Sequence, residues 1–375
     1  MSVKNSVRPL AFAMGVIAAL LLGGCAEPSN TGISAAAGEA SVEQKVYRWK
    51  LITTWPKNLP ALGTIPERMA ERIRLMSNGR LDIRVYGAGE LVGAFEVFDA
   101  VSQGTAEMGN GASYYWRSKL PIAAIFSTVP FGLTAQEMNG WLHYGGGLAL
   151  WQELYEPFGL IPMAAGNTGV QMGGWFNKEI NTLEDLAGLK MRIPGLGGEV
   201  LERVGGLPVS MPGSEVFTSL QTGVIDATEW VGPYNDLAFG LHTVADYYYY
   251  PGWHEPSAAI ESIVNAEAWA SLPRDLQVIL ETAVRHANDD MLAEFTARNA
   301  QALETLINEH GVDVRPFPPD VLAALRAESA AVIDDMAGDD PLHTRILASH
   351  AAFTESVRRY HEITERAYMN ARVED

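Results

Sequence analysis

The sequence predicts an α/β protein whose two similar lobes face each other across a cleft. Strand-like and helix-like segments alternate from residue 46 to about residue 230, and this alternation is typical of parallel sheets covered by helices. Part of this series of strands and helices is repeated 119 residues later in the sequence, which indicates two related lobes. After about residue 265 the periodicity becomes helical, so a helical C-terminal region is expected to follow.

The first lobe is predicted over residues 45–165. The segment "KLITTW" is strand-like, and "TIPERMAERIRLM" places Ile65, Met69, Ile73 and Met76 on one helical face, with Pro66 suited to the first turn. "SNGR" ends this helix, and "LDIRVYG" then alternates as a strand does. A second helix in "AFEVFDAVSQG" and a strand in "TAEMGNG" complete the series.

The second lobe is predicted over residues 166–260 and contains the same order of elements. They are a strand in "LKMRIP", a helix in "GLGGEVLERVGG", a strand in "LPVSMP", a helix in "EVFTSLQTG" and a strand in "VIDATEW". "EVFDAVSQGTAEMGNG" (96–111) aligns with "EVFTSLQTGVIDATEW" (215–230) without a gap. Any amphipathic helix that ends in Gly looks similar, but the matching order of the flanking elements favours a duplication.

The chain after residue 260 is predicted to be mainly helical. Residues 260–340 are expected to contribute to the first lobe, with one long or two shorter helices before the short strand "VDVRPF". Residues 341–375 are expected to form a terminal helix with apolar residues, such as Ile346 and Phe353, at helical spacing. Such a stripe usually packs in the core. On a terminal helix it also suits a partner subunit, so a homodimer through this helix is an open alternative.

The N-terminal segment has the composition of an export signal. Lys4 and Arg8 precede a short apolar run followed by small residues, which is the arrangement of a secretory signal peptide over residues 1–24. The run is too short for a comfortable membrane span. "LLGGC" resembles a bacterial lipobox, in which Cys25 would be the lipidated first residue of the mature chain. Residue 26 is Ala, and by the same resemblance this favours a lipid anchor in the outer membrane, with the protein in the periplasm.

Composition limits the partners and the chemistry. Cys25 is the single cysteine, so structural disulfides, thiolate catalysis and cysteine-ligated metals are excluded. The formal net charge of −18 becomes −20 once residues 1–24, with two basic residues and no acidic one, are removed. A protein this acidic is a poor partner for nucleic acid or for an anionic membrane surface. Residues 25–44 are small and polar, so we expect a flexible tether that connects the folded part to the membrane through lipid alone.

The ends of two predicted strands locate a candidate cleft. In open α/β sheets, ligands bind beyond the carboxyl ends of the strands. This rule places residues 109–115 of one lobe opposite residues 229–235 of the other. The stretch "DATEWVGPYND", which in isolation reads as a surface turn, therefore lies at the mouth of the cleft.

No signature of catalysis accompanies this cleft. The sequence lacks GxSxG, Walker, HExxH and complete GxGxxG motifs. Polar residues in apolar, Gly/Pro-rich surroundings remain, and they are Gln171, Arg192, Glu229 beside Trp230, and Glu255. Arg192 suits either a structural ion pair or a bidentate clamp on a carboxylate. His254, next to Glu255, is interpreted as a structural hydrogen-bonding residue.

Two carboxylates in one cleft imply a cation. Glu229 and Glu255 follow strand-like runs in the same half of the molecule, and together they would repel each other and resist desolvation. Two carboxylates, a glutamine oxygen and a backbone carbonyl form an oxygen-rich site for a hard cation such as Na⁺ or Ca²⁺.

Seven segments carry a family resemblance that spans nearly all of the mature chain. The sequence resembles the solute-binding proteins of tripartite ATP-independent periplasmic (TRAP) transporters, and most of all the branch that binds 2-oxo and 2-hydroxy monocarboxylates with a metal ion. The segments are "LITTWPKNLP", "NGRLDIRVYGAGELV", "FEVFDAVSQGTAEMGNGASYYW", "TGVQMGGWFN", "GLKMRIPGLGGEV", "DATEWVGP" and "YPGWHEP". The fold implied is a two-lobed periplasmic binding protein with a hinge.

The resemblance also implies roles for individual residues. Arg192 would form a salt bridge with the ligand carboxylate. The cation, Ca²⁺ or Na⁺, would be held by side-chain oxygens of Gln171, Glu229 and Glu255, by the carbonyl of Trp230 and by the ligand itself. Tyr115 would reach across the closed cleft, the Trp230 indole would pack over the organic tail, and Asn235 is a further candidate contact. With Ca²⁺ and a monocarboxylate, the charges of this cluster sum to zero, which favours Ca²⁺.

The resulting prediction is a non-catalytic receptor that captures a small 2-oxo or 2-hydroxy monocarboxylate by closure of the cleft and delivers it to TRAP membrane subunits. Two alternatives stay open at this point. One is a periplasmic metal-dependent enzyme that acts on 2-oxo acids, and the other is a sensory partner that presents the same ligand to a membrane receptor.

Overall fold

Two β-sheets organise the part of the chain that this computed structural model describes, residues 44–373. The predicted signal peptide (1–24), Cys25 and nearly all of the predicted tether lie outside the described residues. The strands are β1 (Tyr47–Thr53), β2 (Leu81–Tyr86), β3 (Met108–Gly111), β4 (Leu160–Asn167), β5 (Gly174–Phe176), β6 (Lys190–Arg192), β7 (Leu207–Val209), β8 (Ala227–Thr228), β9 (Tyr247–Tyr250), β10 (Ala259–Asn265) and β11 (Asp313–Pro316).

The two sheets share a parallel three-stranded unit. The first sheet has the order β2-β1-β3-β10-β4 and the second has the order β11-β9-β5-β8-β6-β7. Strand β1 pairs in parallel with β2 and β3, and β6 pairs in parallel with β7 and β8. In each sheet the third strand of the unit then pairs antiparallel with a strand from elsewhere, β10 or β5. The predicted duplication is confirmed by this equivalence.

Helices cover both sheets and form the C-terminal region. They are α1 (Thr64–Met76), α2 (Val97–Ser102), α3 (Ala135–Tyr144), α4 (Gly147–Tyr155), α5 (Gly195–Arg203), α6 (Gly213–Gln221), α7 (Pro233–Phe239), α8 (Ala266–Ser271), α9 (Arg274–Asn308), α10 (Pro319–Asp335), α11 (Pro341–Ile363) and α12 (Glu365–Ala371). Of the two forms expected after residue 265, the structure has one long helix, α9, because no Gly or Pro interrupts residues 274–308.

Periodic apolar residues account for the packing of these helices. Ile65, Met69 and Ile73 of the predicted stripe are buried, and α1 packs on β2 and α9. Met76, the last residue of α1, is exposed, so the stripe was predicted one residue too long. In the first lobe the Phe126 ring stacks between the indoles of Trp141 and Trp151, with centroids 5.4 and 5.2 Å away. These contacts bury apolar side chains between the helices and the strands of the first sheet.

The predicted terminal helix is divided into α11 and α12 at Thr364. Ile346 is buried and Phe353 packs against the core, whereas Tyr360 and Ile363 are 60% and 76% exposed. The start of the stripe is therefore core packing, and its end is uncovered in this chain. Among residues 44–373, no helix has both the length and the apolar character needed to cross a bilayer.

Strands from distant parts of the sequence complete each sheet. β10 joins the first sheet and β11 joins the second, so the 260–340 segment supplies a strand to both. The lobe boundaries at residues 45–165 and 166–260 stay a prediction, as does the separate role of residues 341–375.

Candidate ligand and cation site

A small enclosed cavity lies where the ends of β3, β6 and β8 approach each other. Its volume is about 10 Å³ for the centre of a water-sized sphere, which is room for about one water molecule. The cavity is lined by Trp55, Leu62, Tyr114, Tyr115, Thr168, Gln171, Arg192, Trp230, Val231, Ala258 and Ile260. Four of the residues predicted from the sequence are in this lining: Tyr115, Gln171, Arg192 and Trp230. The other predicted residues, Glu229, Asn235 and Glu255, are not among the lining residues.

Arg192, the last residue of β6, is the cationic centre of the site. Its side chain is 1% exposed and forms an ion pair with the carboxylate of Glu229, which is equally buried. The guanidinium also donates to the Glu229 carbonyl at 3.2 Å and to the Tyr115 hydroxyl at 3.3 Å, and it lies 4.9 Å from the centre of a Trp230 ring. Burial alone would lower the pKa of Arg192, but Glu229 and the neighbouring tyrosines outweigh it and raise the pKa. Arg192 is therefore charged in the closed site.

Glu255 and Gln171 form the second half of the polar cluster. The Gln171 amide donates to one carboxylate oxygen of Glu255 at 2.7 Å and is also 3.2 Å from the Thr168 hydroxyl. Within the described residues, the amide oxygen Oε1 of Gln171 and the carboxylate oxygen Oε1 of Glu255 have no hydrogen-bond partner. Burial and repulsion from Glu229 raise the pKa of Glu255 well above its usual range.

This donor set fits a cation. Two buried carboxylates face a single arginine, so one negative charge is uncompensated when both are ionised. The unpartnered oxygens of Gln171 and Glu255 are acceptors with no donor to satisfy them. A bound cation would compensate the excess negative charge and would give both oxygens a partner. Oxygen ligands of this kind suit Na⁺ or Ca²⁺. Side-chain oxygens of Gln171, Glu229 and Glu255 could hold this cation, and the Trp230 carbonyl stays a predicted ligand.

Trp230 is held in place by Asn235 and by a glycine. The indole N–H donates to the Asn235 side-chain oxygen at 3.3 Å, and the Asn235 amide donates to the carbonyl of Pro60 at 2.9 Å. A Cβ on Gly213, at the start of α6, would lie 2.2 Å from the edge of the indole, so this position leaves room only for glycine. Asn235 does not line the cavity, and its amide connects the wall of one lobe to the other.

Contacts between the two lobes surround the site. Tyr115 of the first lobe meets Arg192 of the second, and burial raises the pKa of Tyr115 to about 12, so its hydroxyl is protonated. Arg117 forms an ion pair with Glu199 of α5 and donates to the carbonyl of Gly195 at 2.9 Å. The structure is thus a closed form of the cleft.

His254 is a residue of this cluster that the sequence interpretation undervalued. One ligand atom each from Glu229, His254 and Glu255 lies within 4.8 Å of the others. The hint in the sequence was its position beside Glu255, but neighbouring side chains of a strand point to opposite faces. Residues 253–255 instead form a bend between β9 and β10, which turns both side chains to the same side.

An enclosed polar site between two lobes of related topology defines the class of two-lobed solute-binding proteins. The chain belongs to the family described as bacterial extracellular solute-binding protein, family 7 (DctP), whose model matches residues 51–340. The predicted family and fold class are confirmed by this match and by the solved structures that follow.

Three relatives illustrate the likeness. A monocarboxylate 2-oxoacid-binding periplasmic protein of Nostoc sp. is 43% identical over 325 residues, which is 86% of this chain and 88% of the relative. A TRAP periplasmic solute-binding protein from Pseudoalteromonas atlantica, solved with bound sodium and pyruvate, is 44% identical with a TM-score of 0.85, covering 88% of this chain and 100% of that one. A counterpart from Colwellia psychrerythraea, with bound calcium and pyruvate, is 42% identical with a TM-score of 0.85, covering 87% and 100%. The chain is therefore a TRAP periplasmic solute receptor.

Proposed function

We propose that this receptor binds a small 2-oxo or 2-hydroxy monocarboxylate, such as pyruvate or lactate, together with Ca²⁺ or Na⁺. The observation that carries the proposal is the buried cluster in which Arg192 faces Glu229 and Glu255, while oxygens of Gln171 and Glu255 have no donor among residues 44–373. One carboxylate on the ligand matches one arginine, and a 2-oxo or 2-hydroxy oxygen beside it can share the cation. The relatives described with pyruvate and sodium or calcium support this choice.

Each residue of the cluster has a distinct proposed role. Arg192 binds the ligand carboxylate, because its planar fork matches both oxygens. Gln171, Glu229 and Glu255 hold the cation by their side chains, and Trp230 holds it by its carbonyl. These four residues and Arg192 form the proposed binding site.

The surrounding residues complete the pocket. Tyr115 closes it from the first lobe through its contact with Arg192. The Trp230 indole covers the organic tail of the ligand. Asn235 orients that indole and fixes it to Pro60, so its proposed contribution to ligand binding is exerted through Trp230.

Ligand exchange requires the lobes to separate. The cavity of about 10 Å³ has no room for a monocarboxylate while Arg192 is paired with Glu229. In the open form, a cation and a carboxylate can enter, and Arg192 can exchange part of its contact with Glu229 for the ligand. A ligand that contacts both lobes then favours the closed form by its differential affinity for it.

The wider context follows from the family and the sequence. Residues 1–24 direct export to the periplasm, lipid on Cys25 anchors the protein to the outer membrane, and the receptor delivers its ligand to TRAP membrane subunits. The exposed apolar end of the C-terminal helices, including Tyr360 and Ile363, supports a homodimer through residues 341–372. Because the glutamates serve as cation ligands, we propose no reaction at this site.

Isothermal titration calorimetry with the purified protein tests the proposal. Pyruvate and lactate are titrated in the presence of Ca²⁺, of Na⁺ and of a chelator, with succinate and acetamide as ligands of the wrong charge. We expect micromolar or tighter binding of a 2-oxo or 2-hydroxy monocarboxylate and at least tenfold weaker binding of the two controls. Equal affinity for acetamide would exclude the carboxylate role of Arg192.

A further inference from the structure

We propose that His254 is a nitrogen ligand of the cation site and that it extends the metal range of this receptor to divalent transition-type metals such as Mn²⁺ and Zn²⁺. The inference rests on the proposed cation site and adds to it a ligand of different chemistry. Sodium and calcium are bound best by oxygen alone, whereas an imidazole suits Zn²⁺ and other first-row metals.

The position of His254 is that of a ligand. Its side chain is 1% exposed, and neither ring nitrogen has a hydrogen-bond partner within the described residues. A buried imidazole without a partner is costly unless it serves another group. Its Nε2 atom lies 3.4 Å from Oε2 of Glu229, on the side of that carboxylate opposite the oxygen paired with Arg192.

The spacing of the donors fits a bound metal. One ligand atom each from Glu229, His254 and Glu255 lies within 4.8 Å of the others. Two ligands on opposite sides of a metal, with bonds of about 2.0–2.4 Å, are at most about 4–5 Å apart. The three donors can therefore meet at one ion with small movements, and the unpartnered Gln171 oxygen is a fourth donor next to Glu255.

The imidazole is held from two sides, so its orientation is fixed by packing. A Cβ on Gly197 of α5 would lie 2.9 Å from the Cβ of His254, which shows how closely this helix approaches. On the other side, the Trp253 ring lies 5.5 Å from the imidazole and stacks on Phe131 at 6.0 Å. The Phe131 amide also donates to the Trp253 carbonyl at 2.8 Å. The bend is thus anchored on both sides of the ligand.

The donor chemistry predicts a change of preference rather than a loss of function. Substitution of His254 by Gln keeps a polar side chain of similar reach but replaces the nitrogen donor with an amide. The site then consists of oxygen and amide donors. Zn²⁺ and Mn²⁺ lose an imidazole ligand, while Ca²⁺ loses a ligand that it does not prefer.

Metal titrations and pulsed electron paramagnetic resonance test the inference on the full chain stripped with a chelator. We expect His254→Gln to lower the ratio of Zn²⁺ affinity to Ca²⁺ affinity at least tenfold. Mn²⁺ bound to the wild type should show ¹⁴N coupling from a directly bound imidazole, and this coupling should be missing in the variant. His143→Gln, a partly buried histidine outside the site, is the control and should change neither result.

The outcomes separate this inference from the proposed function. If the wild type binds pyruvate with Ca²⁺ but Mn²⁺ shows no ¹⁴N coupling, His254 is not a ligand and the inference is wrong while the proposed function stands. An unchanged affinity ratio in His254→Gln also overturns it. If the wild type binds neither metal nor pyruvate, both proposals fail. Retention of the unfolding transition in each variant shows that the comparison is made on folded protein.

Discussion

Asp236 and Glu255 are both buried acids, and they differ in how their oxygens are satisfied. Asp236 accepts from the indole of Trp175 at 2.9 Å and the hydroxyl of Tyr248 at 2.7 Å, and from the backbone amides of Val231 and Gly232 at 3.3 and 3.2 Å. Glu255 accepts from Gln171 through one oxygen, and its other oxygen has no partner in the described residues.

Because of this difference we call Asp236 the structural acid and Glu255 the binding acid. Four donors converge on Asp236, so its carboxyl fixes the loop after β8 without any further group. Glu255 instead lies beside a second carboxylate, and Arg192, the arginine that faces both, is paired with Glu229. An unpartnered oxygen beside a second buried carboxylate fits a bound positive partner, and here that partner is the proposed cation.

The largest expected effect follows from removing the one cation of the site. Arg192→Ala should weaken pyruvate binding at least about 100-fold and lower the free energy of unfolding by about 3–5 kcal/mol, because Glu229 is left buried without its partner. Calorimetry below the unfolding temperature of the variant measures the first effect, and urea denaturation measures the second.

Two further arginine variants control this experiment. Arg192→Lys keeps the charge and loses the planar fork, so it should fall between the wild type and Arg192→Ala. Arg203→Ala removes an arginine from a surface ion pair with Asp335 and should leave pyruvate binding unchanged. Normal pyruvate binding by Arg192→Ala would show that the carboxylate is bound elsewhere.

The structural acid should show its effect in stability and pH. Burial raises the pKa of Asp236 from 3.8 to about 6, so the folded state favours the protonated form. This contribution is complete below about pH 4 and is lost as the pH rises toward 6, a change of about 3 kcal/mol. The Asp236→Asn variant has no carboxyl group that titrates at this position. Its free energy of unfolding is lower because the amide hydrogens of Asn face the hydrogen-bond donors that surround Asp236 in the wild type.

The wild-type advantage over Asp236→Asn should therefore shrink by about 3 kcal/mol between pH 4 and pH 7. Urea denaturation at pH 4, 5.5 and 7 measures this difference, in which the titration of all other groups cancels. A difference that grows with pH would reverse the assigned sign.

The binding acid should show its effect in metal dependence. Glu255→Gln is nearly isosteric but carries no charge, so the Ca²⁺-dependent part of pyruvate affinity should be lost, a reduction of about 30-fold by analogy with buried charge pairs. Stability without ligand should rise or stay constant, because one of two repelling carboxylates is removed. Pyruvate binding that keeps its Ca²⁺ dependence would remove Glu255 from the cation site.

The smallest effect concerns closure across the cleft. Tyr115→Phe removes the hydroxyl that accepts from Arg192 and keeps the ring that packs on Trp55 and Phe95. One hydrogen bond to a charged group is worth roughly 1.5–3 kcal/mol, so pyruvate affinity should fall about 10- to 150-fold, nearer the lower value in a site that admits water when open. Unchanged affinity would show that the contact contributes nothing to closure.

The sequence was sufficient for features that depend on local periodicity and on repetition. Alternating elements, the offset of 119 residues and the strand-end rule placed Tyr115 and Glu229 at one cleft, and in the structure both contact Arg192. Gln171, Arg192 and Glu255 were predicted from their polar character in apolar, Gly/Pro-rich surroundings, and the resemblance supplied the nature of the ligand.

Other features depend on contacts that have no local signal. Asp236 lies in the same stretch as Glu229, yet its partners Trp175 and Tyr248 come from β5 and β9, so its structural role emerges only in the folded sheet. His254 was undervalued because the bend at residues 253–255 is set by packing against α5 and Phe131. The break at Thr364 between α11 and α12 likewise has no Gly or Pro nearby from which it could be predicted.

The central claim is that the unsatisfied oxygens around Glu255 bind a cation together with a 2-oxo acid. Linkage calorimetry tests it most directly: pyruvate is titrated into metal-free protein and into protein saturated with Ca²⁺, and Ca²⁺ is titrated with and without pyruvate. We expect each ligand to tighten the binding of the other by the same factor, at least tenfold, and we expect Glu255→Gln to abolish this factor. Pyruvate affinity that is identical with and without a cation would contradict it.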